Sequence, residues 1–367
     1  MRKNRKYLFQ LNHPAHFHLF KNVIDSLQSR GHIIQICIKE KDILKDLVSN
    51  YHYKQISYNY RNKNIFSIIK SIIIRDYLLY KIVKSFKPDL MIGTSPEIGH
   101  ISLLTGYKSV FFGEDDVNLS LPMYVGALTC YPFFNTIISP DGVNNSIWNK
   151  KTIFYPGFQK LSYLHPNKFT PNRSLVNIDQ DSNFFIIRLS SLLAYHDNSK
   201  GGISNKLLDK IINILKNKGK IIISSERDLP DKYSEFIFKG CKDHIHHYLY
   251  YASLFIGDSQ SMALESAILG TPNIRFSDFT GKISVLNEIE QKYNLSTGVH
   301  SNNPDLLLNK IIDLINSDDI LLKYRNNRGR LIKDKIDVSE FYVWFIENYP
   351  DSISTINNNH SYIKKFK

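Results

Sequence analysis

Short apolar runs and longer amphipathic segments take turns along most of this chain. Tyr7–Leu11 reads as a strand, and the run from Phe17 to Arg30 has a helical period and stops at Gly31. Ile33–Ile38 is again strand-like. The rhythm returns at Leu90–Gly93, Ser109–Phe112, Phe184–Leu189, Lys220–Ser224, Leu254–Gly257 and Asn273–Phe276. Strands that alternate with helices build parallel sheets covered on both faces, so the pattern predicts an α/β protein. At 367 residues the chain is too long for one ordinary core, which predicts two such domains. The alternation fails between about Tyr155 and Ser182, where Pro156-Gly157, Pro166, Pro171 and the polar Asp179-Gln180-Asp181 replace it. The expected division is an N-terminal domain over 1–157, a linker over 158–182 and a C-terminal domain over 183–349. The polar, basic residues 350–367 lack an apolar period and are expected to fray.

Two strand ends carry unusual chemistry. FIGDSQSMALESAILGTPNIRF, residues 255–276, passes from strand through Gly257-Asp258-Ser259-Gln260-Ser261 straight into a helix former that ends at Gly270. Ligands of open α/β sheets bind beyond the carboxyl ends of the strands. A helix starting there offers unpaired amides and the positive end of its dipole to an anion. Ser259, Gln260, Ser261 and Met262 therefore make a candidate phosphate cradle, and Glu265 a candidate acceptor for a sugar's hydroxyls. The plain alternative is an ordinary N-cap at Asp258 or Ser259, with Glu265 facing solvent. At the first strand end, His13, His16 and His18 crowd one turn. His16, at the entry to the helix, is the candidate general base, because an imidazole near pKa 6.5 accepts a hydroxyl proton at neutral pH.

Other strand ends add candidates. Arg188, Ser190 and Ser191 close the first strand after the linker and suit a departing diphosphate, whose developing charge a fixed cation stabilises. A surface ion pair is the plain reading of Arg188. His196 follows in a polar loop. Ser224, Ser225, Glu226 and Arg227 close the next strand, where Arg227 suits phosphate and a salt bridge to Glu226 or Asp228 equally well. His244, His246 and His247 look like metal ligands, but no nearby carboxylate or Cys completes a set. Asp179-Gln180-Asp181 resembles the DxD of metal-dependent sugar transferases but lies in the linker, so a solvated turn is preferred. No metal site is expected.

Composition narrows the partners. The formal charge of +13 calls for an anionic one. No helix-turn-helix, zinc-finger or RNA-recognition signature accompanies it, so nucleic acid is not expected. Cys37, Cys130 and Cys241 are scattered, which argues against a disulfide framework or zinc and fits a reducing compartment. No apolar run approaches the ~20 residues of a membrane span, and the basic start, ending its apolar run at Leu11, is too short for a signal peptide. A cytoplasmic protein is expected. Residues 65–84 have apolar stripes with Lys70, Arg75, Lys81 and Lys84. The preferred reading is a core-facing helix with a basic outer side, the other a helix lying on an anionic membrane at its inner face.

The stretches HPAHFHLFKNVIDSLQSRGH, YPGFQKLSYLHP, LYYASLFIGDSQSMALESAILGTPNIRF and FTGKISVLNEIEQKYNL together resemble domain-of-unknown-function family 354. Its members are predicted glycosyltransferases of the GT-B fold. The resemblance runs from about residue 7 to 315. More distantly the chain is similar to the peptidoglycan lipid II N-acetylglucosaminyltransferase and to the UDP-N-acetylglucosamine 2-epimerases. The resemblance implies two Rossmann-like domains facing across a cleft, the C-terminal one binding a nucleotide-sugar. It implies that Ser259, Gln260 and Ser261 take the diphosphate and Glu265 the ribose, and that His16 lies near the reacting centre. One departure is plain: the turn is Asn12-His13-Pro14-Ala15 where the peptidoglycan enzyme is Gly-rich, which implies a different acceptor. Glu114-Asp115-Asp116 stands where that enzyme has His-Glu-Gln-Asn, as an acceptor-side acidic cluster or a solvated loop.

The expectation is a metal-independent, cofactor-free glycosyltransferase of surface polysaccharide synthesis. It would move a sugar from a nucleotide-diphosphate donor, UDP by preference, to a glycan or lipid-linked acceptor. His16, His13 and Glu114 are the catalytic candidates; Arg188, Ser190, Ser225, Glu226, Ser259, Gln260, Ser261, Met262 and Glu265 are the donor-binding ones. A 2-epimerase on the same scaffold, with Glu97, Glu114 and Asp115 as acid/base groups, and a non-catalytic nucleotide-sugar-binding protein are the alternatives.

Overall fold

The computed structural model describes residues 4–39, 44–57, 65–180, 182–191 and 201–367. Asp181 and His196 lie outside them. The chain forms two compact units, Met1–Lys168 with Lys335–Lys367 and, between these, Phe169–Asp334.

The first unit holds seven strands: β1 (Lys6–Leu11), β2 (Ile33–Ile38), β3 (Tyr53–Gln55), β4 (Leu90–Gly93), β5 (Ser109–Phe112), β6 (Thr136–Pro140) and β7 (Thr152–Tyr155). They pair in parallel in the order β3-β2-β1-β4-β5-β6-β7. Its helices are α1 (Pro14–Ser29), α2 (Leu44–Leu47), α3 (Ile65–Phe86), α4 (Pro96–Thr105), α5 (Leu121–Cys130) and α6 (Leu161–Leu164). The second unit holds β8 (Phe184–Leu189), β9 (Lys220–Ser225), β10 (Leu254–Gly257), β11 (Asn273–Phe276) and β12 (Thr297–Val299), parallel in the order β12-β11-β10-β8-β9. Its helices are α7 (Asn205–Leu215), α8 (Ile245–Tyr251), α9 (Gln260–Leu269), α10 (Ser284–Gln291), α11 (Pro304–Ile315) and α12 (Ile320–Asp334). The chain then returns to the first unit with α13 (Val338–Glu347) and α14 (Asp351–Asn358). Both sheets are Rossmann-like, as the strand–helix alternation predicts.

Each sheet is buried between helices. Leu8, Met91, Phe111 and Ile137 face Leu79 and Val83 of α3, Ile98 and Ile101 of α4 and Ala127 of α5 in one apolar cluster. On the other side Phe9 and Phe112 meet Phe20 of α1 edge to face, as Phe112 meets Tyr342 of α13. In the second unit Ile187, Ile223 and Ile256 pack with Leu208 and Ile211 of α7 and Leu307 of α11.

The division into domains departs from the expected one. Phe158, Leu161 and Leu164 of the anticipated linker are fully buried in the first unit. The last residues do not fray: α14 and a 3-10 segment at His360–Phe366 bury Ile356 and Ile363, and Phe366 meets Phe341 at 5.6 Å between ring centroids. The physical reason lies in α13. Phe341, Tyr342 and Phe345 have no exposure, the Tyr342 hydroxyl bonds that of Tyr155 at 2.6 Å, and Glu347 accepts from Arg30 at 2.6 Å and meets His32 at 3.1 Å. These partners are all in the first unit, and no local pattern announces them. Among the described residues, no helix is long and apolar enough to cross a membrane.

Candidate functional site

Both sheets reverse direction of growth beside their first strand. In the first unit the chain builds outward from β1 through β2 and β3, then resumes with β4 on the opposite side of β1; in the second, β9 and β10 flank β8. Crevices at such switch points are where α/β sheets bind ligands. A glycine sits at the end of the later strand in both. A Cβ on Gly93 would lie 2.8 Å from the Gln10 carbonyl oxygen, and one on Gly257 2.9 Å from that of Arg188, so close strand approach requires glycine there.

At the switch point of the second unit, Ser259 is the N-cap of α9, its hydroxyl accepting from the Met262 amide at 3.4 Å. Among the described residues nothing accepts from the amides of Gln260 and Ser261, which leaves two donors at the positive end of the helix. Asp258 does different work from the cap its position suggests. Its Oδ1 accepts from the Ser190 amide at 2.6 Å and hydroxyl at 2.8 Å, and its Oδ2 from the Ile203 amide at 3.3 Å. It therefore moors the end of β8 and the approach to α7 beside the start of α9. Burial pushes its carboxyl above the ordinary range against these hydrogen bonds.

Arg188 reaches from the end of β8 to Ser224 Oγ at 2.7 Å and to Glu226, whose second oxygen accepts from the Ser191 amide at 3.0 Å and hydroxyl at 3.1 Å. Partial burial opposes ionisation of Glu226, but the Ser191 bonds and the Arg188 charge outweigh it and hold the carboxyl below its usual range. The guanidinium is thus positioned by an ion pair as well as placed at the strand end.

Beyond Ser190 and Glu226, whose side chains bind Asp258 and Arg188, three more of the expected donor contacts are engaged within the protein. Both ends of the Gln260 side chain are engaged: its oxygen accepts from Arg275 at 2.8 Å and its nitrogen donates to Ser277 at 2.6 Å. The Ser225 hydroxyl closes a turn with the backbone of Arg227, at 2.7 Å to its oxygen and 3.1 Å from its nitrogen. The Met262 amide is taken by Ser259. Glu265 is buried rather than solvent-facing, with His246 Nε2 at 3.6 Å from its Oε1.

Sequence reasoning missed Arg275. It lies on β11 with no exposure, and it binds Glu290 through Nη2 at 2.7 Å and Nε at 3.2 Å while holding Gln260. A charge between Ile274 and Phe276, inside a predicted strand, was the available signal.

In the first unit His13 caps α1, its Nδ1 accepting from the Ala15 amide at 3.1 Å. His16 Nδ1 accepts from the Asn12 amide at 3.2 Å, and Thr94 Oγ1, at the end of β4, lies 2.8 and 2.9 Å from the two ring nitrogens. An amide donor on Nδ1 occupies that lone pair and places the proton of the neutral His16 ring on Nε2. Asn12 is held in turn by Glu97, buried at the start of α4, which also takes Gln10 at 3.2 Å and Arg75 Nε at 2.8 Å. Glu114 departs from the expected role. Its two oxygens accept from the Gln159 amide at 2.6 Å and Lys160 Nζ at 3.2 Å, fastening the end of β5 to the turn after β7. Asp115 is exposed.

His100 bonds Asp76 at 2.8 Å, and that bond raises its pKa above 6.5 against partial burial. A raised histidine contributes stability that is complete below the unfolded value near 6.5 and is lost as pH climbs through the folded value. Urea unfolding of wild type and Asp76→Asn should therefore differ most below pH 6.5 and converge at alkaline pH. A difference that grows with pH would refute this assignment.

Among the described residues, no cluster of three or more His, Cys, Asp and Glu side chains is arranged to hold a metal. Asp179 lines a cavity of about 330 Å³ with Asn177, Ser182, Asn183, Lys218 and Lys220, at the amino ends of β8 and β9. That edge of the sheet is opposite to Arg188.

The whole architecture has known counterparts. It superposes on the S. aureus MnaA–UDP complex with a TM-score of 0.68 at 10% identity, over 95% of this chain and 98% of that one. The glycotransferase of kitacinnamycin matches with a TM-score of 0.64 at 10% identity over 94% and 99%. The UDP-GlcNAc 2-epimerase from Neisseria meningitidis, bound to UDP-GlcNAc, matches with 0.58 at 13% identity over 90% and 99%. The fold is GT-B. No family model matches the sequence, so the resemblance to family 354 rests on the quoted motifs alone. No curated protein matches it either. The GT-B likeness establishes the architecture, and the chemistry rests on the residues of the two switch points.

Proposed function

We propose that this chain is a glycosyltransferase that moves a sugar from a nucleotide-diphosphate donor, UDP by preference, to a glycan or lipid-linked acceptor in surface polysaccharide synthesis, with no obligatory metal. The observation that carries the reading is the second unit's switch point, where two open amides of α9 and the Arg188 guanidinium stand at adjacent strand ends. Charge grows on the leaving diphosphate as the glycosidic bond breaks, and these fixed positive groups stabilise it without reorganisation. Ser190 and Ser259 border the same place, and Glu265 takes the ribose hydroxyls. On the acceptor side His16 is the base of this reading: the acceptor hydroxyl takes the place of the Asn12 amide at Nδ1 and delivers its proton there, with Thr94 beside the ring.

The 2-epimerase reading is less well supported. It needs carboxylates around the sugar's C2, and Glu97 and Glu114 are committed to Arg75 and to the Gln159–Lys160 turn. Incubation with UDP-N-acetylglucosamine alone separates the two: conversion to the 2-epimer without acceptor would overturn the transfer reading, whereas acceptor-dependent release of UDP supports it. Tight binding with no turnover over a broad acceptor panel would point instead to a binding protein.

The ribose contact has its own test. Glu265→Ala should weaken UDP binding about tenfold or more in calorimetry while leaving pyrophosphate binding unchanged. Equal losses for both ligands, or none, would remove Glu265 from the ribose.

A further inference from the structure

We propose that the outer surface of α3, α4 and α5 is a docking face for an anionic lipid bilayer. The three helices cover one side of the first sheet, α4 packing against both α3 and α5, and each buries an apolar face there through Leu79 and Val83, Ile98 and Ile101, and Ala127. The preferred sequence reading gives α3 a basic outer side. Its outer side is instead apolar and basic together. Phe66 is 80% exposed, and Ile69, Ile73 and Tyr77 follow it at helical spacing, all exposed. Lys81 and Lys84 continue the same stripe toward the carboxyl end, Lys70 stands beside Phe66 and Ile73, and all three lysines are exposed. Lys81 Nζ lies 4.5 Å from the Tyr77 ring centroid, so its stem covers the ring while its charge stays outside.

Neighbouring helices extend the apolar surface. Leu103 and Leu104 project from α4, and Leu121, Val125 and Leu128 from α5, all exposed. Exposed apolar side chains gathered on adjacent helices are what an interaction surface presents.

Charge selects the occupant. α3, α4 and α5 contain two carboxylates, Asp76 and Glu97, and both are occupied, by His100 at 2.8 Å and by Arg75 at 2.8 Å. These three helices therefore present lysines and apolar side chains with no unengaged carboxylate among their described residues. A bilayer with anionic headgroups meets both, taking the apolar side chains below the headgroups and the ammonium groups among them. A second copy of this strongly basic chain would oppose like charge to like. The inference is independent of the donor reading, because none of these side chains belongs to either switch point, and its test involves no turnover.

The test is co-sedimentation of the full chain with vesicles of phosphatidylcholine alone and of phosphatidylcholine mixed with phosphatidylglycerol. Binding to the mixed vesicles only, weakened by added salt, is expected. Substituting the exposed Phe66, Ile73 and Leu104 together by serine should lower partitioning at least tenfold with the circular dichroism and unfolding profile unchanged. Each of Lys70→Gln, Lys81→Gln and Lys84→Gln should lower it about fivefold. Equal binding to neutral and anionic vesicles, or none to either, overturns the proposal. So does a dimer in light scattering that the triple serine variant converts to monomer, which would assign the face to a second copy.

Discussion

Replacing Arg188 by alanine is expected to lower kcat/KM for a UDP-sugar donor by about two to three orders of magnitude. UDP binding should weaken less than the rate, because the guanidinium acts most on charge that appears only as the bond to the diphosphate breaks. Two effects combine in this variant. The cation at the end of β8 is lost, and Glu226 keeps its Ser191 bonds but loses the Arg188 charge that helps them lower its pKa. Arg188→Lys separates them, since it restores a positive charge without the fork that reaches Ser224 and Glu226 together. A partial recovery is expected. Steady-state kinetics with Arg188→Ala within threefold of wild type would remove Arg188 from the chemistry.

The largest effect on stability is expected at Arg275. Arg275→Met strands the Glu290 carboxylate and unties Gln260 in a region where the arginine itself has no solvent exposure. Breaking a buried pair from one side costs about 3–5 kcal/mol, because the remaining charge, here a Glu290 side chain only 14% exposed, has lost its partner and reaches little water. The double variant Arg275→Met/Glu290→Met should recover a good part of that loss, which a simple cavity or packing defect would not allow. Urea unfolding followed by two probes reads both numbers. A loss below about 1 kcal/mol in the single variant would show that the pair is solvated and replaceable.

The two variants also mark what could be read in the sequence and what could not. The parallel sheets were legible because β1, β4, β8 and β10 are compact apolar runs, each followed by a polar turn and a helical period. β3, β6, β7 and β12 passed unremarked. β3 and β12 are only three residues long, and β6 and β7 fall where Asn, Pro and Gly interrupt the rhythm. The start of α9 was visible because small polar residues directly follow a strand. The commitments of its neighbours were not. Asp258 holds Ser190, Glu114 holds Gln159 and Gln260 holds Arg275 across separations of 68, 45 and 15 residues. Side-chain partners that distant are set by the register of strands, which local composition does not encode. The same blindness explains the misplacement of residues from Lys335 onward: an aromatic stripe shows that α13 must be buried, not in which unit.

That return has a consequence during biosynthesis. A ribosome delivers α13 after the whole second unit, so that unit, uninterrupted from Phe169 to Asp334, has all its own residues before the first unit has Phe341 and Tyr342 to cover Phe112 and Tyr155. Until then the nascent first sheet exposes aromatic surface to chaperones, and the earlier-translated half matures only after the later one has been made.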